Sequence, residues 1–105
     1  MRGLLMKLKA RVDRVFNEFG EELLVNGIIR AKGFFQRMDS DFVRKCFGLG
    51  EQDSIPRSAL VLMTPADAAV AVGDSVDRMP RSYTVSKLTE KRVENILVMR
   101  MMLLE

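Results

Sequence analysis

The last third of the chain, residues 60–104, breaks into short apolar runs separated by tight turns, and that rhythm restricts what the sequence can fold into. Leu60-Val61-Leu62-Met63 is wholly apolar, and Thr64-Pro65-Ala66-Asp67 follows as a turn with proline placed to set it. Ala69–Val72 is a second run, Gly73-Asp74 a second turn, and Met79-Pro80-Arg81-Ser82 a third, ahead of Ser82–Val85. Short strands at this spacing predict a sandwich or a small barrel. Residues 93–104 are one long strand or a helix, because Leu and Met suit both. Histidine and tryptophan are absent and cysteine occurs once. A β-rich chain so poor in catalytic side chains is expected to touch other proteins rather than to transform a substrate.

The N-terminal part has a different period. At about 100° per residue, Leu4, Leu5, Leu8, Val12, Val15, Phe16 and Phe19 fall within an arc of about 120°, which predicts an amphipathic helix over residues 3–19 with that stripe in the core. Lys7, Arg11, Arg14 and Glu18 gather on another side, Arg14 and Glu18 as an i,i+4 pair. Gly20 stands where a left-handed C-cap glycine belongs. Glu21–Val25 and Ile28–Arg37 then flank Asn26-Gly27, a hairpin signal because both turn residues must tolerate positive φ. Gly33 inside the second strand marks a bulge or a close approach by another backbone. Phe34 and Phe35 point to opposite faces.

Residues 38–58 are the least regular stretch. Phe42–Phe47 suits a short strand or a helical turn, and the remainder, rich in Gly, Pro and acids, reads as a long exposed loop. The predicted fold class is therefore mainly β (α+β). It is a single domain over 1–105, with a helix at 3–19 and a small β-barrel or β-sandwich over 21–104 interrupted by a loop at 38–58.

Composition narrows the chemistry. With 48% hydrophobic and 30% charged residues the chain has enough apolar material for a core, and a net charge of +3 is too mild for a dense nucleic-acid patch. No run approaches the roughly 18 apolar residues of a membrane span, and Lys7, Lys9 and Arg11 interrupt the N-terminus before a signal-peptide core can form. The lone Cys46 leaves no intramolecular disulfide and fits a reducing compartment, so a soluble intracellular protein is expected. Without histidine there is no Ser-His-Asp or Cys-His pair and no zinc site of the common kinds. Lys45 flanks Cys46, but no general base is identifiable beside it, so the thiol reads as inert. Asp39 and Asp41 have calcium-loop spacing but lack the later ligands, and Gly48-Leu49-Gly50 lacks the Gly-Lys-Ser/Thr of a phosphate loop. No catalytic residue, cofactor or metal is expected.

Contact surfaces are easier to nominate. Lys7 and Arg11 give the helix a cationic face, which reads either as ordinary solvated surface or as a contact for phosphate or anionic lipid. Met99 and Met101 belong to a closing run too long for one buried face, so part of it is expected either in the core or against another subunit.

Met63-Thr64-Pro65-Ala66-Asp67, Val70-Ala71-Val72-Gly73-Asp74-Ser75-Val76, Tyr83-Thr84-Val85 and the closing apolar run form a pattern. It resembles that of the head–tail connector, or head-completion, proteins of long-tailed bacteriophages and prophages. The helix, the Asn-Gly hairpin and Lys32-Gly33-Phe34-Phe35-Gln36 agree with it, so the likeness covers the chain apart from 38–58. The sequence departs from the pattern at Arg78-Met79-Pro80-Arg81, where a small polar turn is usual, and in its Met-rich closing run. The resemblance implies a non-enzymatic ring beneath the portal that closes the DNA-filled head and docks the tail. Its partners would be the portal or adaptor ring, the tail terminator and its own copies, first in the host cytoplasm and then in the virion neck, with no membrane involved. The 38–58 loop would then line the channel or meet the next ring. Arg44, Lys45 and Arg57 suit passing DNA there, while Asp39, Asp41, Glu51 and Asp53 do not. Competing readings are a tail-terminator protein of the same neck, a small β-barrel nucleic-acid binder and, least supported, an enzyme.

Overall fold

The apolar runs become strands of one antiparallel sheet that closes on itself. The fold is given by a computed structural model that describes residues 2–50 and 58–105, the side chains of Arg2 and Leu5 excepted. The described elements are helices α1 (Arg2–Phe19) and α2 (Ser40–Phe47) and strands β1 (Glu21–Val25), β2 (Ile29–Asp39), β3 (Ser58–Pro65), β4 (Ser75–Arg78), β5 (Arg81–Val93) and β6 (Ile96–Leu104). Around the barrel they run β1-β2-β3-β6-β5-β4, and β4 returns to β1 through Leu24↔Asp77 and Val25↔Val76. Of the two architectures open to the sequence, the barrel is the one formed. Closure leaves no full-length free edge.

Strand β2 changes partner part-way. Its first half pairs with β1 as far as Glu21↔Gly33, and its second half pairs with β3 from Phe34↔Met63 to Asp39↔Ser58. Gly33 is required at the handover: a Cβ there would stand 2.5 Å from the Met63 carbonyl oxygen and 2.8 Å from Leu62 Cδ1. The close approach expected of this glycine is thus what the fold uses. Gly20 serves a different purpose from the one expected. It has no positive φ, and a Cβ on it would run into the Phe16 carbonyl oxygen, which accepts the Gly20 N–H at 2.9 Å. Lack of a side chain, rather than a left-handed conformation, lets α1 turn directly into β1.

The apolar runs of β3 and β6 are continuous because both faces of these strands are covered. Leu60, Leu62, Met102 and Leu104 point inward and join Leu23, Val25, Val70, Val76 and Val85 in the barrel core. Ala59, Val61, Met101 and Leu103 point outward and pack beneath Val43 of α2.

Three segments differ from the sequence reading. Residues 38–41 are ordered structure rather than loop, and Phe42–Phe47 takes the helical one of its two readings: β2 runs through Asp39, and α2 follows at once. Asp39 caps that helix by accepting the Phe42 N–H at 2.9 Å, and Gly48 ends it in the left-handed conformation at φ 63°. Residues 51–57 of the expected loop lie outside the described residues. The run Ala69–Val72 is a crossing segment rather than a strand, and it drives Val70 into the end of the barrel. Residues 93–104 are a strand only from Ile96, because Glu94 and Asn95 make a tight turn with φ 48° and 71°. That turn joins β6 to a β5 much longer than Ser82–Val85, with register shifts between Val85 and Lys87 and between Lys91 and Arg92.

Candidate partner interface

Helix α1 lies on the outside of the barrel against β2, β3 and β6, and it does so by one edge. Phe16, 4% exposed, packs on Phe34 with ring centroids 5.1 Å apart and planes tilted by 42°. Beside it, Lys9 donates to Asp13 Oδ2 at 2.9 Å. That hydrogen bond holds the Lys9 ammonium above its ordinary 10.5, against some desolvation and with help from the charges of Asp13 and Asp67. The Phe16–Phe34 contact therefore marks which side of the helix faces the barrel.

This seating leaves much of the apolar stripe in water, contrary to the expectation that the stripe is core. Leu4 is 69% exposed, Leu8 42%, Val15 47% and Phe19 71%. The four lie within roughly 60° of one another around the helix axis, and Phe16 is displaced from the middle of that arc by about 90°. They form a ridge about 22 Å long at 1.5 Å per residue. Lys7 and Arg11, both exposed, run along the ridge on its outer side.

The other nominated residues scatter. Lys45 is exposed on α2, whereas the Arg44 guanidinium donates to the Gly50 carbonyl and ties down the chain leaving that helix. Met101 is 3% exposed under α2, and Met99 is half-buried against the same cluster. The closing run thus spends its second apolar face inside the chain, and Met101 is not available to a partner. Arg57 lies outside the described residues. Lys7 and Arg11 stand beside the exposed ridge of α1, and Lys45 stands one turn from Phe42 of α2, which is 47% exposed.

Cavities also open on the described surface, among them one of about 380 Å³ lined by Glu21, Glu22, Arg30, Asp77, Arg78 and Met79. A groove of about 780 Å³ between α1 and the β1–β2 hairpin is lined by both signs of charge, including Asp13, Glu18, Glu22, Arg14, Arg30 and Lys32, with Lys32 Nζ bridging to the Asn17 carbonyl at 2.8 Å. A smaller one, about 290 Å³, sits between β2 and the β4–β5 turn and is lined by Arg37, Arg78, Met79, Pro80, Arg81 and Tyr83. Among the described residues no group of His, Cys, Asp or Glu is placed to hold a metal ion, and no helix is long and apolar enough to cross a membrane.

In comparison with known proteins, no family model, curated protein or solved structure matches this chain.

Sequence reasoning identified the helix stripe but not which part of it stays exposed. The stripe is uniform in composition, and Phe16 is singled out by its contact with Phe34, a residue distant in the chain. The arginine-lined cavity was missed as a site. Its only local signal was the unusual Arg78-Met79-Pro80-Arg81 turn.

Proposed function

We propose that this chain is a non-enzymatic structural protein of the neck of long-tailed bacteriophages or prophages. In this reading it assembles as a ring under the portal, closing the filled head and presenting a docking face to the tail. The observation that carries the proposal is the ridge of Leu4, Leu8, Val15 and Phe19, an apolar surface left exposed on a helix that has its own barrel to pack on. Contiguous exposed apolar surface bordered by charge marks a contact for another protein. The sequence pattern that resembles head-completion proteins directs the choice of assembly.

The size of the ridge also fits a ring. One helix flank about 22 Å long and about 10 Å across presents about 220 Å², well short of the roughly 800 Å² per partner of a stable pairwise interface. A closed ring gives each subunit two neighbours through complementary surfaces, and the portal and tail add further contact area. Such a subunit stays separate when free and assembles on its template. Lys7 and Arg11 beside the ridge supply orientation through charge, which is the part that rim charges play in association.

The test is electron microscopy of particles from a strain lacking this gene, with the purified chain added back to the extract. The proposal expects DNA-filled or leaking heads apart from complete tails, joined again on addition. Normal joined particles without the protein would overturn it.

A further inference from the structure

Every charged residue lining the 290 Å³ cavity beside the β4–β5 turn is an arginine. Arg78 is held in place from two sides. Its Nε and one terminal nitrogen donate to the two Glu21 carboxylate oxygens at 2.7 and 3.0 Å, and its guanidinium carbon lies 4.6 Å from the centre of the Phe35 ring. Those bonds engage two of its N–H groups out of the five that a guanidinium carries. Arg37 and Arg81 are exposed and, among the described residues, their side chains have no hydrogen-bond or ion-pair partner. Of the nearby carboxylates, Glu21 is paired with Arg78, and Asp77 keeps its charge while accepting from the Ser82 hydroxyl at 2.5 Å. Three arginine side chains therefore line one opening; Arg78 is paired with Glu21 at its edge, and Arg37 and Arg81 carry charge that no carboxylate among the described residues pairs with.

Two guanidinium groups without a carboxylate partner leave net positive charge at this opening, which a bound anion would pair with. A planar carboxylate is satisfied by a single arginine fork. Several forks approaching one space from different strands suit a tetrahedral anion with oxygens on all sides. The opening is at the surface, beside Met79 at 83% exposure, so it admits a phosphate that is part of a chain. We propose that Arg37, Arg78 and Arg81 form a binding site for a phosphate group, reached by the backbone of double-stranded DNA. Arg78 is the fixed member, while Arg37 and Arg81 close on the anion from either side. The site needs no ring and exists on the isolated chain, so it is tested separately from neck assembly.

The experiment uses the purified chain and two probes. Inorganic phosphate is titrated against chloride at matched ionic strength while the amide resonances of residues 78–83 are followed, and a labelled 20-bp duplex, about two helical turns, is titrated by fluorescence anisotropy. Arg37→Gln and Arg81→Gln are made singly and together, and their melting temperatures establish that they are folded. Duplex binding by the wild type is expected to weaken roughly tenfold or more in the double variant. The slope of log affinity against log salt should fall by about 2. Phosphate-specific shifts that vanish in the double variant, without duplex binding, keep the phosphate site and assign it to a free phosphate or small phosphoester. Absence of any response to both probes, or equal binding by the folded double variant, overturns the proposal.

Discussion

Helices α1 and α2 are both amphipathic, and both lie on the outside of the same barrel, yet they use their apolar sides differently. Helix α2 has eight residues, a cap at each end, and Val43 fully buried against Ala59, Val61, Met101 and Leu103, with Phe42 left 47% exposed. Helix α1 has eighteen residues, buries Phe16, and leaves Leu4, Leu8, Val15 and Phe19 exposed. The short helix completes the fold by covering the second apolar face of β3 and β6. The long one is anchored by one edge and carries the rest of its stripe to the surface. An apolar stripe therefore states that a helix must be covered, but not that its own chain does the covering.

The largest expected effect separates two phenylalanines on α1. Phe16→Ala should lower stability by roughly 3–5 kcal/mol, and Phe19→Ala should stay within about 0.5 kcal/mol, both read from denaturant unfolding. Equal losses would mean that α1 docks by its whole stripe, and the contrast with α2 would disappear. Met101→Ala comes next, at about 2–5 kcal/mol, since it opens a space directly beneath α2. Hydrogen exchange should then rise in residues 40–47 before it rises in α1. Asp39→Ala removes the α2 cap and should cost about 1 kcal/mol, with the loss of protection confined to that helix.

The smallest effect lies on the anchored edge of α1. The Lys9 ammonium is held above its ordinary 10.5 in the folded chain, so its bond to Asp13 contributes fully below that pH. The contribution disappears as pH rises through the folded value. Unfolding midpoints above pH 10.5 should therefore fall slightly more for the wild type than for Lys9→Met. With both side chains about one-third exposed, screening keeps this difference small. Parallel pH profiles would remove the pair from the anchoring of the helix.

Much of the barrel was legible because its turns use residues with restricted backbones. Asn26-Gly27 and Gly73-Asp74 mark bends that the fold contains, and Gly33 marked the place where β2 exchanges β1 for β3. The hairpin at Glu94-Asn95 was not legible, because it takes positive φ without a glycine. The polar, bulged stretch Lys87–Arg92 of β5 likewise lacks a clean two-residue alternation. Helix α2 was blurred because its eight residues span little more than two turns, although Asp39 and Gly48 in the sequence were its caps. At the interface, Lys7 and Arg11 were readable from helical spacing. The gathering of Arg37 with Arg78 and Arg81 depends on strands far apart in the chain, and no local pattern announces it.

The central claim is that the exposed ridge of α1 is the face this chain gives to its neighbours. It is tested most directly by adding a folded Leu8→Ser, Phe19→Ser variant to extract from the gene-deleted strain and counting joined particles by electron microscopy. The account predicts that the wild type restores joined heads and tails while the variant, with unchanged melting temperature, leaves them apart. Restoration by the variant to the level of the wild type would contradict it.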